Sequence, residues 1–317
     1  MVCLLLSAAF PPHEKDDRPP ESFDILLEMV VNAHSPKSSL NVVQCNSTEC
    51  LLEILCQLKA CLKFPQHLKL LGKDNFLWNF IVIGLSHEDG LTRKRANYLL
   101  KRAVDKPYNF DTSDVNATPL VSFMDTNTFR DQRKLWDDFF LVIETLEEKQ
   151  VHLVKQVFNK IQRLVSKVPT SSEELNVSKP FHIAWILVIY KLLFQHQNNA
   201  IVKWSVHNFL TSFSFKYIGY TEFIDFACHP LLNVLNSSKH YSYKEPNTNC
   251  ETENILTDYL AGFVPNRDDS DINLDHETFW NHFLNAVFSI SWGPLPLYHV
   301  TRAISNALNR ISPCHKR

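Results

Sequence analysis

Residues 90–104, GLTRKRANYLLKRAV, hold five basic side chains in a chain of 317 residues whose formal net charge is only -2. Placing successive residues about 100° apart puts Ala96, Leu99, Leu100 and Ala103 on one helix face. Lys94 and Lys101 then fall together on the opposite side, Arg95 and Arg102 form a second row beside them, and Tyr98 lies between the rows. Arg93 sits nearer the core boundary, where its stem can cover apolar surface or pair with a neighbour. Guanidinium groups bond phosphate bidentately, ammonium groups act as point charges, and one aromatic ring offers a platform for a base. Arg93, Lys94, Arg95, Tyr98, Lys101 and Arg102 are therefore the candidate RNA-binding residues. The same spacing fits a solvated helix face neutralised by Glu88, Asp89, Asp105 or Asp111, and residue types alone leave both readings open.

No other pattern supports a chemical site. The sequence lacks G-x-S-x-G, G-x-x-x-x-G-K-[ST] and G-x-G-x-x-G, and its 6 glycines leave little room for phosphate-cradling loops. Fourteen histidines include no H-E-x-x-H, and the six-residue interval from His276 to His282 does not put both rings on one helical face. Paired acids at Asp137-Asp138, Glu147-Glu148, Glu173-Glu174 and Asp268-Asp269 diverge around helices or fall in polar linkers, where they read as solvated faces. No catalytic residue, metal site or cofactor site is assigned. The 8 cysteines, four of them at Cys45, Cys50, Cys56 and Cys61, form no C-x-x-C pair and read as free thiols of a reducing compartment.

The elements that must position the basic segment are helices. Apolar residues recur at three and four, with no convincing run of strict alternation. Helices are expected over 48–64, 75–85, the basic segment with Thr92 as its N-cap, 130–146 and 151–168. Others are expected over 180–195, 200–213, 221–235, 251–263, 276–290 and 294–309. The four-residue link 147–150 predicts an antiparallel pair. Helix pairs recurring without a sharp repeat predict an all-α, HEAT or armadillo-like α-solenoid of antiparallel helix pairs. Its parts are a divergent N-terminal segment (1–44), helical repeats including the basic helix (45–104), a mobile polar loop (105–128) and further repeats of the same solenoid (129–312). The loop carries Pro107 and Pro119 among many Asp, Asn and Thr residues. No stretch reaches the ~18 apolar residues of a membrane span. Met1 to Phe10 is apolar but has no basic start, so a cytoplasmic or nuclear location is expected.

Three segments are together more specific. LTRKRANYLLKRAV (91–104), LWDDFFLVIETLEEKQVHLVKQVFNKI (135–161) and FHIAWILVIYKLLFQ (181–195), in this order, resemble the TAR RNA-binding protein family of large eukaryotic tRNA guanosine-18 ribose 2'-O-methyltransferases. Members of that family have a long helical N-terminal region and a C-terminal SpoU-type knotted methyltransferase domain. The similarity runs from about residue 75 to the end and is strongest over 90–209. Nothing here resembles the SpoU domain, so no catalytic or donor-binding residue carries over. The resemblance implies a scaffold for tRNA ribose methylation, with tRNA as partner and with S-adenosylmethionine chemistry in a methyltransferase domain outside these residues or in a separate chain. A solenoid adaptor gripping a protein partner, with no role in RNA, is the alternative.

Overall fold

The computed structural model describes residues 76–104, 126–148, 150–168, 181–237, 240–264 and 274–310. The expected helix over 48–64, the four cysteines from Cys45 to Cys61, the N-terminal segment and most of the polar loop lie outside them. Among the described residues every regular element is helical, in accord with the apolar spacing. In chain order these are α1 (Phe76–Leu85), α2 (Gly90–Val104), α3 (Thr126–Glu148), α4 (Val151–Gln156), α5 (Phe158–Val165), α6 (Ile183–Phe194) and α7 (Asn199–Ser212). A 3-10 turn (Phe215–Tyr217) leads to α8 (Thr221–Phe226), a π-helical turn (Ala227–Leu231), α9 (Leu232–Asn236), α10 (Pro246–Ala261), α11 (Leu274–Ser289) and α12 (Pro294–Asn309). No described helix is long and apolar enough to cross a membrane.

Several boundaries differ from the expected ones for local reasons. Helix α3 begins at Thr126, inside the stretch expected to be loop. The helix expected over 151–168 steps at Val157, where the Val157 amide bonds the Val154 carbonyl in 3-10 fashion. Beside that step the Phe158 ring stacks flat on Trp204 of α7, with centroids 3.5 Å apart. The helix expected over 221–235 is interrupted by Pro230, which lacks an N–H and crowds the preceding turn; the chain widens to a π turn there instead of breaking. Helix α10 starts at Pro246 and not at 251, because proline is pre-set for the first helical position, where no amide partner is needed.

The chain divides into two compact units, Met1–Leu141 and Val142–Arg317. In the first, α1 packs on α2. Trp78, Ile81 and Leu85 of α1, and Ala96, Leu99, Leu100 and Val104 of α2, are buried. In the second, α6 packs on α5, α7 and α8; α7 on α10; α10 chiefly on α12; and α11 on α8 and the π turn. Buried aromatic rings run through this core. Tyr190 meets Phe209 and Phe213, Phe209 meets Phe223 and Phe226, Phe223 meets Phe263, and Phe263 stacks on Phe279. Large rings and aliphatic side chains bury enough apolar surface to fix short helices that would not persist alone.

Candidate nucleic-acid interface

Helix α2 is placed by its first turn. The Asp89 carboxylate accepts from the Thr92 amide at 2.7 Å and from the Thr92 hydroxyl at 2.8 Å. Asp89, not Thr92, is thus the N-cap; the expected cap lies three positions inside the helix, where its hydroxyl reaches back to the true one. The Thr92 amide bond, followed by the hydroxyl bond, holds the Asp89 carboxyl below the usual range. The preceding turn is tied as well, the Asp89 amide donating to His87 Nδ1 at 3.1 Å.

The six candidate residues separate into distinct environments. Arg93 folds back on the turn before its helix, one guanidinium nitrogen donating at 2.7 Å to both the His87 and Glu88 carbonyls. Its half-buried side chain therefore ties loop to helix. Lys101 is also half-buried, and its ammonium lies 5.3 Å from the centre of the Phe140 ring in α3, a cation–π contact. Phe140 belongs to an aromatic cluster with Trp136 and Phe139 in the same unit. Lys94 and Tyr98 are exposed, and Arg95 and Arg102 are half-exposed, on the side away from buried Ala96, Leu99 and Leu100. The structure thus brings Lys94, Arg95, Tyr98 and Arg102 to one accessible face, while Arg93 and Lys101 hold that face to its neighbours. Between Asp89 and Asp105 there is no acidic residue, so α2 itself brings no acid to that face.

The other described groups singled out in the sequence are divided between packing contacts and exposed surface. His276 Nδ1 is 2.7 Å from the Phe263 carbonyl and buried, whereas His282 is exposed. Asp137 pairs with Arg133 one turn earlier at 3.2 Å. Cys228 is a buried free thiol, pushed up to about 12 by burial and then by Asp225, and Cys250 is an exposed one. Among the described residues no three His, Cys, Asp or Glu side chains are grouped to hold a metal ion. Gly90, Gly219, Gly262 and Gly293 all stay outside the left-handed region.

Sequence reasoning missed one buried ionic network. Glu253 of α10 accepts from His299 Nδ1 at 2.8 Å and from Arg302 Nε at 3.1 Å, both on α12. Arg302 also donates to the Tyr298 hydroxyl at 3.0 Å, and the Tyr241 ring stacks on His299. His299 and Arg302, three apart on one helix face, were the only local signal; their partner lies 46 positions away from His299.

The described residues define an all-helical protein with a basic, acid-free helix on its surface. Residues 86–218 match the TARBP1 domain family, a stretch that contains α2 and runs to the end of the 3-10 turn. The chain is also 33% identical over 173 residues to the mouse protein "tRNA (guanosine(18)-2'-O)-methyltransferase TARBP1". That alignment covers 52% of this chain and 11% of the mouse protein, so the chain spans about a tenth of its relative's length. All three segments that carry the family resemblance lie within the matched residues 86–218. No solved structure matches the chain.

Proposed function

We propose that this chain is a non-catalytic helical scaffold, a HEAT or armadillo-like solenoid, that docks tRNA or positions a domain for ribose 2'-O-methylation. The observation that carries the reading is the face of α2. Lys94, Arg95, Tyr98 and Arg102 share it, without an acidic residue, inside the TARBP1 domain stretch. Three cations around one exposed ring suit a phosphate backbone with a stacked base. S-adenosylmethionine and the transfer step belong, in this reading, to a methyltransferase domain elsewhere or in a partner chain, in the cytoplasm or nucleus.

A protein-binding role has its own support in the exposed apolar side chains Phe288, Leu297 and Tyr298, of which Phe288 is 83% exposed. Binding of an unmodified tRNA transcript across a salt series separates the two. The native chain is compared with Lys94, Arg95, Lys101 and Arg102 all changed to Gln. Loss of affinity with a salt slope shallower by about 2 supports docking at α2, since three of the four cations lie on the accessible face and each phosphate contact contributes about 0.7 to 0.9 to that slope. Equal binding by both chains, or none by either, removes it.

A further inference from the structure

The second unit carries another helix face of the same character. Between Glu148 and Glu173 the chain has no acidic residue, although acidic and basic residues are nearly balanced overall, 34 against 32. The same interval holds Lys149, Lys155, Lys160, Arg163 and Lys167, with His152 near its start. Helices α4 and α5 fold it so that Val154, Val157, Ile161, Leu164, Val165 and Val168 are buried. On the opposite side His152, Lys155, Asn159, Arg163 and Lys167 are all exposed, at intervals of three and four that draw one line along the two helices. Gln156, Gln162 and Ser166 fill the flanks, so the strip is polar and cationic throughout its length.

From this geometry we infer that the outer face of α4 and α5, through Lys155, Arg163 and Lys167 with His152 and Asn159 beside them, is a second contact for the phosphodiester backbone of RNA. An ordinary solvated helix mixes signs, because opposite charges three or four apart stabilise it and like charges repel. Here Arg163 and Lys167 are four apart, and no acidic residue lies within five positions of either in the sequence. The helix dipole favours Lys155 and Arg163, each in the last turn of its helix, but α4 has only six residues and Lys167 lies past the end of α5. A row of cations spaced by one helical turn, with amides between, matches successive phosphates better than it matches any apolar or cationic partner. The step at Val157 and the Phe158–Trp204 stack seat the row on α7, so the face is held in place before any ligand arrives.

This inference rests on the reading of the chain as an RNA scaffold, and one experiment tests both separately. Fluorescence anisotropy with a labelled, unmodified tRNA transcript is measured from 50 to 300 mM salt on four proteins. They are the native chain, Lys155→Gln/Arg163→Gln/Lys167→Gln, its charge-keeping counterpart Lys155→Arg/Arg163→Lys/Lys167→Arg, and the α2 quadruple Gln variant. The expected result is at least tenfold weaker binding by the α4–α5 Gln variant at low salt, a slope shallower by about two, and native-like binding by the charge-keeping variant. Native-like binding by the Gln variant, with loss in the α2 variant, overturns the second face and leaves the first. Loss only in the α4–α5 variant upholds the second face and moves docking away from α2. No binding by the native chain, or equal competition by polyglutamate, overturns both. Since the three substituted side chains are exposed, thermal melts of the variants are expected to superimpose on the native one.

Discussion

Acidification is expected to destabilise the second unit through His240, and replacing that residue is expected to remove the effect. His240 is 2% exposed, and neither ring nitrogen has a hydrogen-bond partner among the described residues. The Tyr241 ring meets it edge-on at 4.9 Å, and the nearby Lys203, ion-paired with Glu245, opposes a second positive charge. Burial first and the Lys203 charge second depress its pKa to about 3 from the ordinary 6.5. A histidine with a lowered folded-state pKa binds fewer protons folded than unfolded between those two values. Its stability contribution is therefore intact above pH 6.5 and is lost as pH falls toward 3, at about 1.4 kcal/mol per pH unit. Between pH 7.5 and pH 5.0 the loss assigned to His240 is about 2 kcal/mol.

The perturbation that isolates this term is His240→Phe, which keeps a flat ring and removes both unpaired nitrogens. Urea unfolding followed by far-ultraviolet circular dichroism at pH 7.5, 6.0 and 5.0 should show the variant gaining on the native chain by about 2 kcal/mol over the range. His182, also depressed by burial, titrates in both proteins and cancels from the difference. Its Nδ1 accepts from the Ala184 amide at 3.2 Å in either case. Parallel pH dependences for the two proteins would refute the reasoning, since they would mean that the His240 ring is solvated or bonded and pays no charge-burial penalty.

Three further outcomes follow from single contacts. Tyr190→Phe removes the buried bond to Asn208 Oδ1 at 2.6 Å and should cost about 1 to 2 kcal/mol in urea unfolding, with the ring packing kept. Glu253→Ala should cost about 3 kcal/mol, because it strips a buried carboxylate from His299 and Arg302 and unties α10 from α12, and Glu253→Gln should cost less. Arg93→Gln should speed amide exchange in the 86–89 turn while leaving the salt slope of tRNA binding at its native value, because that guanidinium is bound to backbone carbonyls.

Much of this fold was legible because it depends on local spacing. Leu99 and Leu100 with Ala96 could be placed on the inner side of α2 from the three-and-four rule alone, and Asn198 caps α7 through its side chain as such a residue should. What could not be read depends on contacts far along the chain or on competition within one turn. Thr92 and Asp89 are both good caps, and the choice fell to Asp89 because its carboxylate reaches the amide and hydroxyl of Thr92 together. The spacing rule ran the helix expected over 221–235 straight through Pro230, where the chain instead widens to a π turn. Arg93 could be set at the core boundary by its helical angle, but not its partners, the His87 and Glu88 carbonyls of the preceding turn. The α4–α5 row was harder still, since Lys155 and Arg163 are eight residues apart and only a folded helix aligns them.

In the proposed reading the division of roles within α2 has a consequence for specificity. Lys94, Arg95 and Arg102 offer charge and Tyr98 a stacking surface, while α2 has no carboxylate and the Asn97 amide oxygen is buried. Such a surface recognises backbone shape and charge, with affinity that falls steeply in salt and varies little with sequence. Choice of a particular tRNA nucleotide must then come from the domain that performs the transfer, and the scaffold's contribution is to raise the local concentration of tRNA there. Exchanging tRNA for an unrelated structured RNA of similar size should accordingly change the affinity of this chain by no more than a few fold. A preference of a hundredfold or more would mean that α2 reads bases and that the division of labour argued here is wrong.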